Sequence, residues 1–289
     1  MPIDPGSALR FDYCQWAAGK SAPETDTLIG DIKNAQESDV YANQPTDWVR
    51  TRRLTLAGAG LALKSAGPQC ATHFARGRDY ADTSYVKWKR EMTERTPPFE
   101  LSANPKKLSI QRNLRTHIIE DMAGREIAFL LFEETSITPQ AVEWAKAVNF
   151  DRLTVSDRAS TAYLKTVLDS YDWVSYAEFG KEPSIWAFLI LQHSDLDPEF
   201  QEMGLSRLTP FLETESVQKP MYAMLSDRVS MAKGEPQLYG TQTTGACVEG
   251  EVEPYRIQRP NGVDGRRAEM GLPPLEAYLA QFKTMICQN

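Results

Sequence analysis

A mainly α-helical fold, with a small β-hairpin or an ordered loop near residues 236–258, is what this sequence predicts. Three observations predict it. Apolar residues recur at three-to-four spacing through most of the stretch from 45 to 232, the period of a helix with one buried face. Prolines stand where helices open, at Pro45, Thr138-Pro139, Pro198 and Pro273-Pro274. The pattern then changes at Gly234-Glu235-Pro236, where Gln237-Leu238-Tyr239-Gly240-Thr241-Gln242 brings strand-like residues followed by glycine-rich turn chemistry.

Taken in order, Pro45 opens a helix in which Trp48, Val49, Arg52, Leu56, Ala59 and Leu63 continue the spacing until Gly67-Pro68 stops it, so a helix is expected over about 45–65. Asp82-Thr83-Ser84 reads as the cap of a short helix reaching Met92. Thr96-Pro97-Pro98 and Asn104-Pro105 bracket a non-helical stretch, which makes residues near 95–105 the expected linker between a segment 1–104 and a domain 105–289. From Leu108 to Phe132 the positions Ile110, Leu114, Ile118, Ile119, Met122, Ile127, Leu130 and Leu131 predict a long organising helix. Thr138-Pro139 starts another through Val142, Trp144 and Val148, and Asp157 precedes a further one carrying Tyr163, Leu164, Val167 and Leu168. Ser184–His193 is nearly all apolar, as in a helix buried on most sides. Further helices follow from Pro198 to about Leu212, from Lys219 to Ala232, and after Pro274.

The composition excludes several classes. With 289 residues, 42% apolar and 25% charged, the chain has the make-up of a globular protein and not of a disordered or collagen-like one. The 32 basic and 39 acidic residues give a formal charge of −7, which repels a phosphate backbone, so nucleic acid is not expected as a partner. The longest apolar stretches, Trp186–Leu191 and Ile127–Phe132, are far short of the ~20 residues that span a bilayer, so no membrane span is expected. A small-molecule or peptide ligand and a protein partner meeting residues 1–104 remain as expectations.

Four cysteines, Cys14, Cys70, Cys247 and Cys287, include no C-x-x-C pair, which removes zinc-ribbon and thioredoxin readings. Pairing Cys14 with Cys70 and Cys247 with Cys287 is economical in sequence, and four reduced, buried thiols are the alternative. Met1-Pro-Ile-Asp-Pro-Gly lacks the charged and apolar regions of a signal peptide, which fits a cytosolic chain or a processed exported one. The loose opening through Ala22-Pro23-Glu24-Thr25 and the even cysteine count lean toward the periplasm or the exterior.

No strong catalytic motif is present, but polar residues stand out in predominantly apolar surroundings. His193 and Asp195, in Gln192-His193-Ser194-Asp195 at the end of the apolar helix, are an imidazole and a carboxylate suited to acid/base work; a helix cap is the structural alternative. Asp227-Arg228 follow an apolar helical run and fit either a site or a buried ion pair. Gln237, Tyr239 and Thr241 share one face if their segment is a strand, and with Gln242 they offer hydrogen bonds to a polar ligand or simply to water. Arg266-Arg267 form a guanidinium pair suited to a carboxylate or phosphate, or to salt bridges within the protein. His117, Asp121 and His193 are conceivable metal ligands, yet no metal-binding pattern accompanies them, so neither metal nor cofactor is expected.

Residues from about 107 to 283 resemble a bacterial family, domain of unknown function 6624. The resemblance is carried by Trp186-Ala187-Phe188-Leu189-Ile190-Leu191-Gln192-His193-Ser194-Asp195, by Leu225-Ser226-Asp227-Arg228, by Gln237–Gln242, and by Arg266-Arg267-Ala268-Glu269-Met270-Gly271-Leu272-Pro273-Pro274-Leu275. Met122 stands where the family tends to have glutamine after Asp121, and Ser160 or its neighbour replaces a usual asparagine after Asp157. The resemblance implies a mostly helical domain, often exported, and brings no established reaction. It groups His193, Asp227, Arg228, Tyr239, Gln242 and Arg266 as one expected site.

Two functions are therefore expected as rivals. One is a metal-independent hydrolase or acid/base enzyme acting on a small polar or anionic substrate. In it His193 is the base, Asp195 or Asp227 orients it, Tyr239 with Gln242 holds substrate, and Arg228 with Arg266 neutralises an anion. The other is a non-catalytic binding or interaction domain in which the same cluster is structural.

Overall fold

The computed structural model describes residues 69–212, 214 and 217–287. The helix expected over 45–65 and the Cys14 end of the Cys14–Cys70 pairing lie outside the described residues. The chain divides into two compact units whose boundary, between Tyr163 and Leu164, falls inside a helix.

The first unit is helical. α1 spans Cys70–Arg95, α2 spans Pro105–Leu130 and α3 spans Pro139–Leu168, the last of these running across the boundary. Asn104 opens α2 by accepting from the N–H groups of Lys106 and Lys107, with Pro105 supplying a fixed φ at the first position. The stretch 96–104 connects α1 to α2, and Gln111 holds it by accepting from Ser102 N and donating to Glu100 O, both at 3.0 Å.

Two caps expected from sequence are instead interior positions. Asp82-Thr83-Ser84 lies inside α1, where Asp82 Oδ1 accepts from Arg152 Nη2 of α3 at 2.5 Å and Thr83 Oγ1 donates back to the carbonyl of Asp79 at 2.7 Å. Asp157 lies inside α3, where its carboxylate takes a bond from Arg125 Nη2 at 3.1 Å, so the two helices expected around it are one. Tertiary partners decided both cases, because a serine, threonine or aspartate caps a helix only where no other bond competes for its oxygen.

Ala81, Ile127, Leu131, Val142 and Ala145 form the core of this unit, flanked by Tyr80, Tyr85 and Trp88. At Gly77 an added Cβ would stand 2.4 Å from the backbone oxygen of Ala141, which is why α1 carries no side chain where it meets α3.

The second unit continues with α4 (Tyr176–Phe179), α5 (Lys181–Gln192), α6 (Pro198–Leu208) with a 3₁₀ turn over Thr209–Phe211, and α7 (Lys219–Ala232). Its core includes Trp173, Phe179, Trp186, Phe188, Leu191, Phe200, Leu208 and Leu225. Gly204 of α6 lets that helix approach Leu191 of α5, whose Cδ2 lies 2.4 Å from where a Cβ would be. Arg207 Nη1 closes the end of α3 by donating to the carbonyls of Leu168 and Tyr171.

A hairpin follows, as expected within 236–258: β1 (Thr243–Val248) pairs antiparallel with β2 (Glu251–Pro254), with Val248 opposite Glu251. The two residues between them, Glu249 and Gly250, both have positive φ, the geometry that matches strand twist in a two-residue turn. The expected strand residues 237–242 are not part of this ladder. They form an ordered loop joined to the chain after β2 by a bridge between Gln237 and Ile257. Short helices close the unit: α8 (Val263–Glu269), α9 (Leu275–Ala280) and α10 (Lys283–Cys287). Cys287 of α10 is disulfide-bonded to Cys247 of β1.

Candidate functional site

The centre of the expected site is Asp227, on the next-to-last turn of α7 and fully buried. Its Oδ1 accepts from the backbone N–H groups of Leu238 (2.7 Å) and Tyr239 (2.9 Å). Its Oδ2 accepts from the N–H of Thr241 (2.8 Å) and from the Thr241 hydroxyl (2.9 Å). Three N–H groups converge on one carboxylate because Gly240 between them turns left-handed, with φ of 69°. A side chain there would also meet Ile257 and Leu275 at under 3 Å. Burial pushes the Asp227 carboxyl up, and the four donors pull against it by favouring the ionised form.

Gln237, also fully buried, fixes the same loop from the other side. Its amide donates to the carbonyls of Gln242 and Tyr255 and accepts from Gln242 N, each at 2.9 Å, while its backbone bonds Arg256 and Gln258. The arginine pair on α8 meets carbonyl oxygens: Arg266 Nε donates to Leu238 O at 2.8 Å and its Nη2 to Gln258 O at 2.6 Å. Arg267, fully buried, donates to Pro273 O and Tyr239 O, each at 2.6 Å, and lies 4.8 Å over the ring of Tyr278. Burial lowers the Arg267 pKa, and Tyr278 in turn donates to Thr241 O at 3.0 Å.

Asp195 and Arg228 make a second group. Arg228 Nη1 lies 2.9 Å from both oxygens of Asp195, and Gln201 Nε2 adds a third bond at 3.0 Å, so α7 is tied to the loop between α5 and α6. His193 is the residue that ends α5, half-buried, with its backbone N–H bonded to Leu189 O at 2.9 Å. Tyr239 is half-buried too. Burial raises its pKa, Tyr222 and Asp227 push the same way, and Arg266 opposes them. Among the described residues its hydroxyl has no hydrogen-bond partner.

Of the residues expected to act together, the structure gathers Asp227, Gln237, Tyr239, Thr241, Gln242, Arg266 and Arg267 around one loop, largely through backbone bonds. Sequence reasoning missed Gln201 and Tyr278. Gln201 had a legible signal, since it shares a helix face with Gly204 and Leu208; Tyr278 had none beyond its place in an apolar stripe.

In the first unit, His117 stacks on Tyr163 with ring centroids 4.9 Å apart, and its Nδ1 is 3.1 Å from Ser160 Oγ. Asp121 pairs with Arg125 Nε at 2.8 Å. Among the described residues no three of His, Cys, Asp and Glu are grouped so as to hold a metal ion. Burial pushes the His117 pKa below its ordinary 6.5, with Glu120 opposing. The unfolded chain thus takes up this proton first as pH falls, and the stability tied to neutral His117 is present above about 6.5 and lost below it. In thermal melts from pH ~7.5 to ~5.5, the His117→Phe variant, which keeps the ring stack, is expected to lose less of its Tm than the wild type. An equal loss in both would show that other groups carry the acid sensitivity.

Among the described residues no helix is long and apolar enough to cross a membrane. No curated protein and no solved structure matches the chain. A family described as "Family of unknown function (DUF6624)" matches residues 134–286, beginning at the start of α3's approach and not near 107 as the resemblance suggested. That match takes in α3, the whole Asp227 network and its buried arginine, and on it the chain belongs to the DUF6624 family.

Proposed function

We propose that the second unit is a non-catalytic binding domain in which the polar cluster is structural. The observation that carries this reading is Asp227: a fully buried carboxylate with four donors already on its two oxygens has no lone pair left to orient a base or take a proton from a substrate. The arginines support it as well: Arg266 Nε and Nη2 and Arg267 Nε and Nη1 donate to backbone carbonyls, where an anion-binding pair would aim its guanidinium groups at the ligand, although Arg267 Nη2 is buried without a partner among the described residues. A sealed network of this kind fixes a loop and a hairpin onto helices without chemistry of its own.

The acid/base reading has one observation in its favour, the half-buried Tyr239 hydroxyl with no bond among the described residues. The two readings separate in one experiment. Purified protein is assayed against ester, amide and phosphoester substrates alongside His193→Ala and Tyr239→Phe, with Tm measured for each. The binding reading expects no turnover that depends on either side chain. Turnover abolished by His193→Ala at unchanged Tm would overturn it.

A further inference from the structure

The first unit presents an apolar stripe on its surface. Of the eight large apolar side chains exposed among the described residues, four fall together: Met122 (39%), Phe129 (59%) and Leu130 (40%) of α2, and Phe132 (56%) in the turn that continues it. Met122, Phe129 and Phe132 are spaced by seven and then three positions, which puts them on one line of the helix. Glu126 and Glu133, four positions after Met122 and Phe129, rim that line. Among the described residues neither carboxylate has an ion-pair partner, whereas the neighbouring cations are engaged, Arg125 with Asp121 and Asp157, and Lys146 with Glu143. The stripe is therefore apolar with a negative rim, and it fits a helix that has an apolar face and a basic flank.

The chain carries such a segment. In residues 49–64, Val49, Arg52, Leu56, Ala59 and Leu63 recur at helical spacing, and Arg50, Arg53 and Lys64 follow the same spacing one position along, so basic residues flank the apolar line. The segment holds four basic residues and no Asp or Glu. Its place in the chain fits as well. α1 begins at Cys70, and its first turns meet the chain after α2 and the start of α3. His73 Nδ1 is 2.8 Å from Thr138 Oγ1, the rings of Phe74 and Trp144 are 4.6 Å apart, and Tyr80 donates to Glu134, two residues past Phe132. Lys64 precedes Cys70 by six positions, a link of at most ~21 Å. The segment is thus tethered at the end of the unit that carries Phe129 and Phe132.

We propose that residues 49–64 of the same chain dock on the α2 stripe, with the apolar line against Met122, Phe129 and Phe132 and with Arg50, Arg53 and Lys64 toward Glu126 and Glu133. The proposal concerns the first unit and stands apart from how the second is read.

The test is photo-crosslinking in the whole chain, with p-benzoylphenylalanine in place of Phe129, an exposed position that takes a larger ring without disturbing the core. An equal mixture of ¹⁴N- and ¹⁵N-labelled chains is irradiated, and the crosslinked peptides are identified by mass spectrometry. The expected product joins position 129 to a residue within 49–64, both peptides carrying the same isotope. Mixed-isotope pairs as the main product would mean that a second copy covers the stripe. Crosslinks only to other residues, or none at all, would mean that the segment does not reach it. Each of these results overturns the proposal.

Hydrogen exchange gives an independent readout. Phe129→Ser/Phe132→Ser removes apolar area at the surface alone, so α1 and α2 are expected to keep their amide protection while that of residues 49–64 falls at least about tenfold. Glu126→Lys/Glu133→Lys should lower it about threefold at low salt, the scale of exposed ion pairs. Unchanged protection in the first variant overturns the docking, and unchanged protection in the second overturns the charge pairing.

Discussion

Asp227→Ala is expected to cost about 3–5 kcal/mol of stability, the range for removing one partner from a buried charged network, or to prevent folding of the second unit. Three backbone N–H groups and one hydroxyl lose their acceptor at once, around an Asp227 and a Thr241 that are both buried. Such a loss lowers Tm by on the order of 10 °C. Asp227→Asn keeps the volume but turns an NH₂ group toward N–H donors, so it is expected to recover only part of the loss. Hydrogen exchange locates the effect: the amides of Leu238, Tyr239 and Thr241 should lose protection first while the core of α5 keeps it. If Asp227→Asn melted like the wild type, the carboxylate would not be holding the loop, and its burial would need a functional explanation.

The double variant Cys247→Ser/Cys287→Ser is the second large effect. The bond joins residues 40 apart in sequence. The chain-entropy argument puts closure of a loop that size near ~4 kcal/mol, and measured native disulfides contribute about 2–5 kcal/mol. Besides the bond, α10 is held by its contacts with β1, β2 and α9. Its five residues are too few for a helix that stands alone, and the Lys283–Glu251 ion pair at 2.5 Å is solvent-exposed, a type worth ~1 kcal/mol or less. The variant should therefore melt lower than the wild type and be clipped by trypsin near Lys283 under native conditions. Mass spectrometry of the alkylated wild type, before and after reduction, checks that the bond is present; an unchanged melting curve on reduction would count against its structural role.

The helical class, the small hairpin and several helix starts were legible in the sequence because they rest on local rules. Pro105, Pro139 and Pro198 stand in the first turn of their helices, and α7 has the bounds that its apolar spacing indicated. Where the reading broke a helix, at Asp82-Thr83-Ser84 and at Asp157, it gave a capping residue its commonest role, and a partner distant in sequence had taken the oxygen instead.

The polar residues singled out in the sequence do gather around one loop, which their presence in apolar surroundings already suggested. What they do there was not legible. An aspartate beside an apolar helical run looks the same whether its oxygens face a substrate or four donors from residues 11–14 positions further on. Arg266-Arg267 looks the same whether it meets a phosphate or the carbonyls of a loop.

By itself, then, the sequence determined the elements and the identity of the polar residues, since helix period, proline and turn chemistry act over a few neighbouring positions. Tertiary structure alone decided that Asp227 is sealed and that Arg267 is buried against carbonyls. Each of these depends on which distant groups arrive within about 3 Å, and hydrogen bonding is too short-ranged for any local pattern to record it.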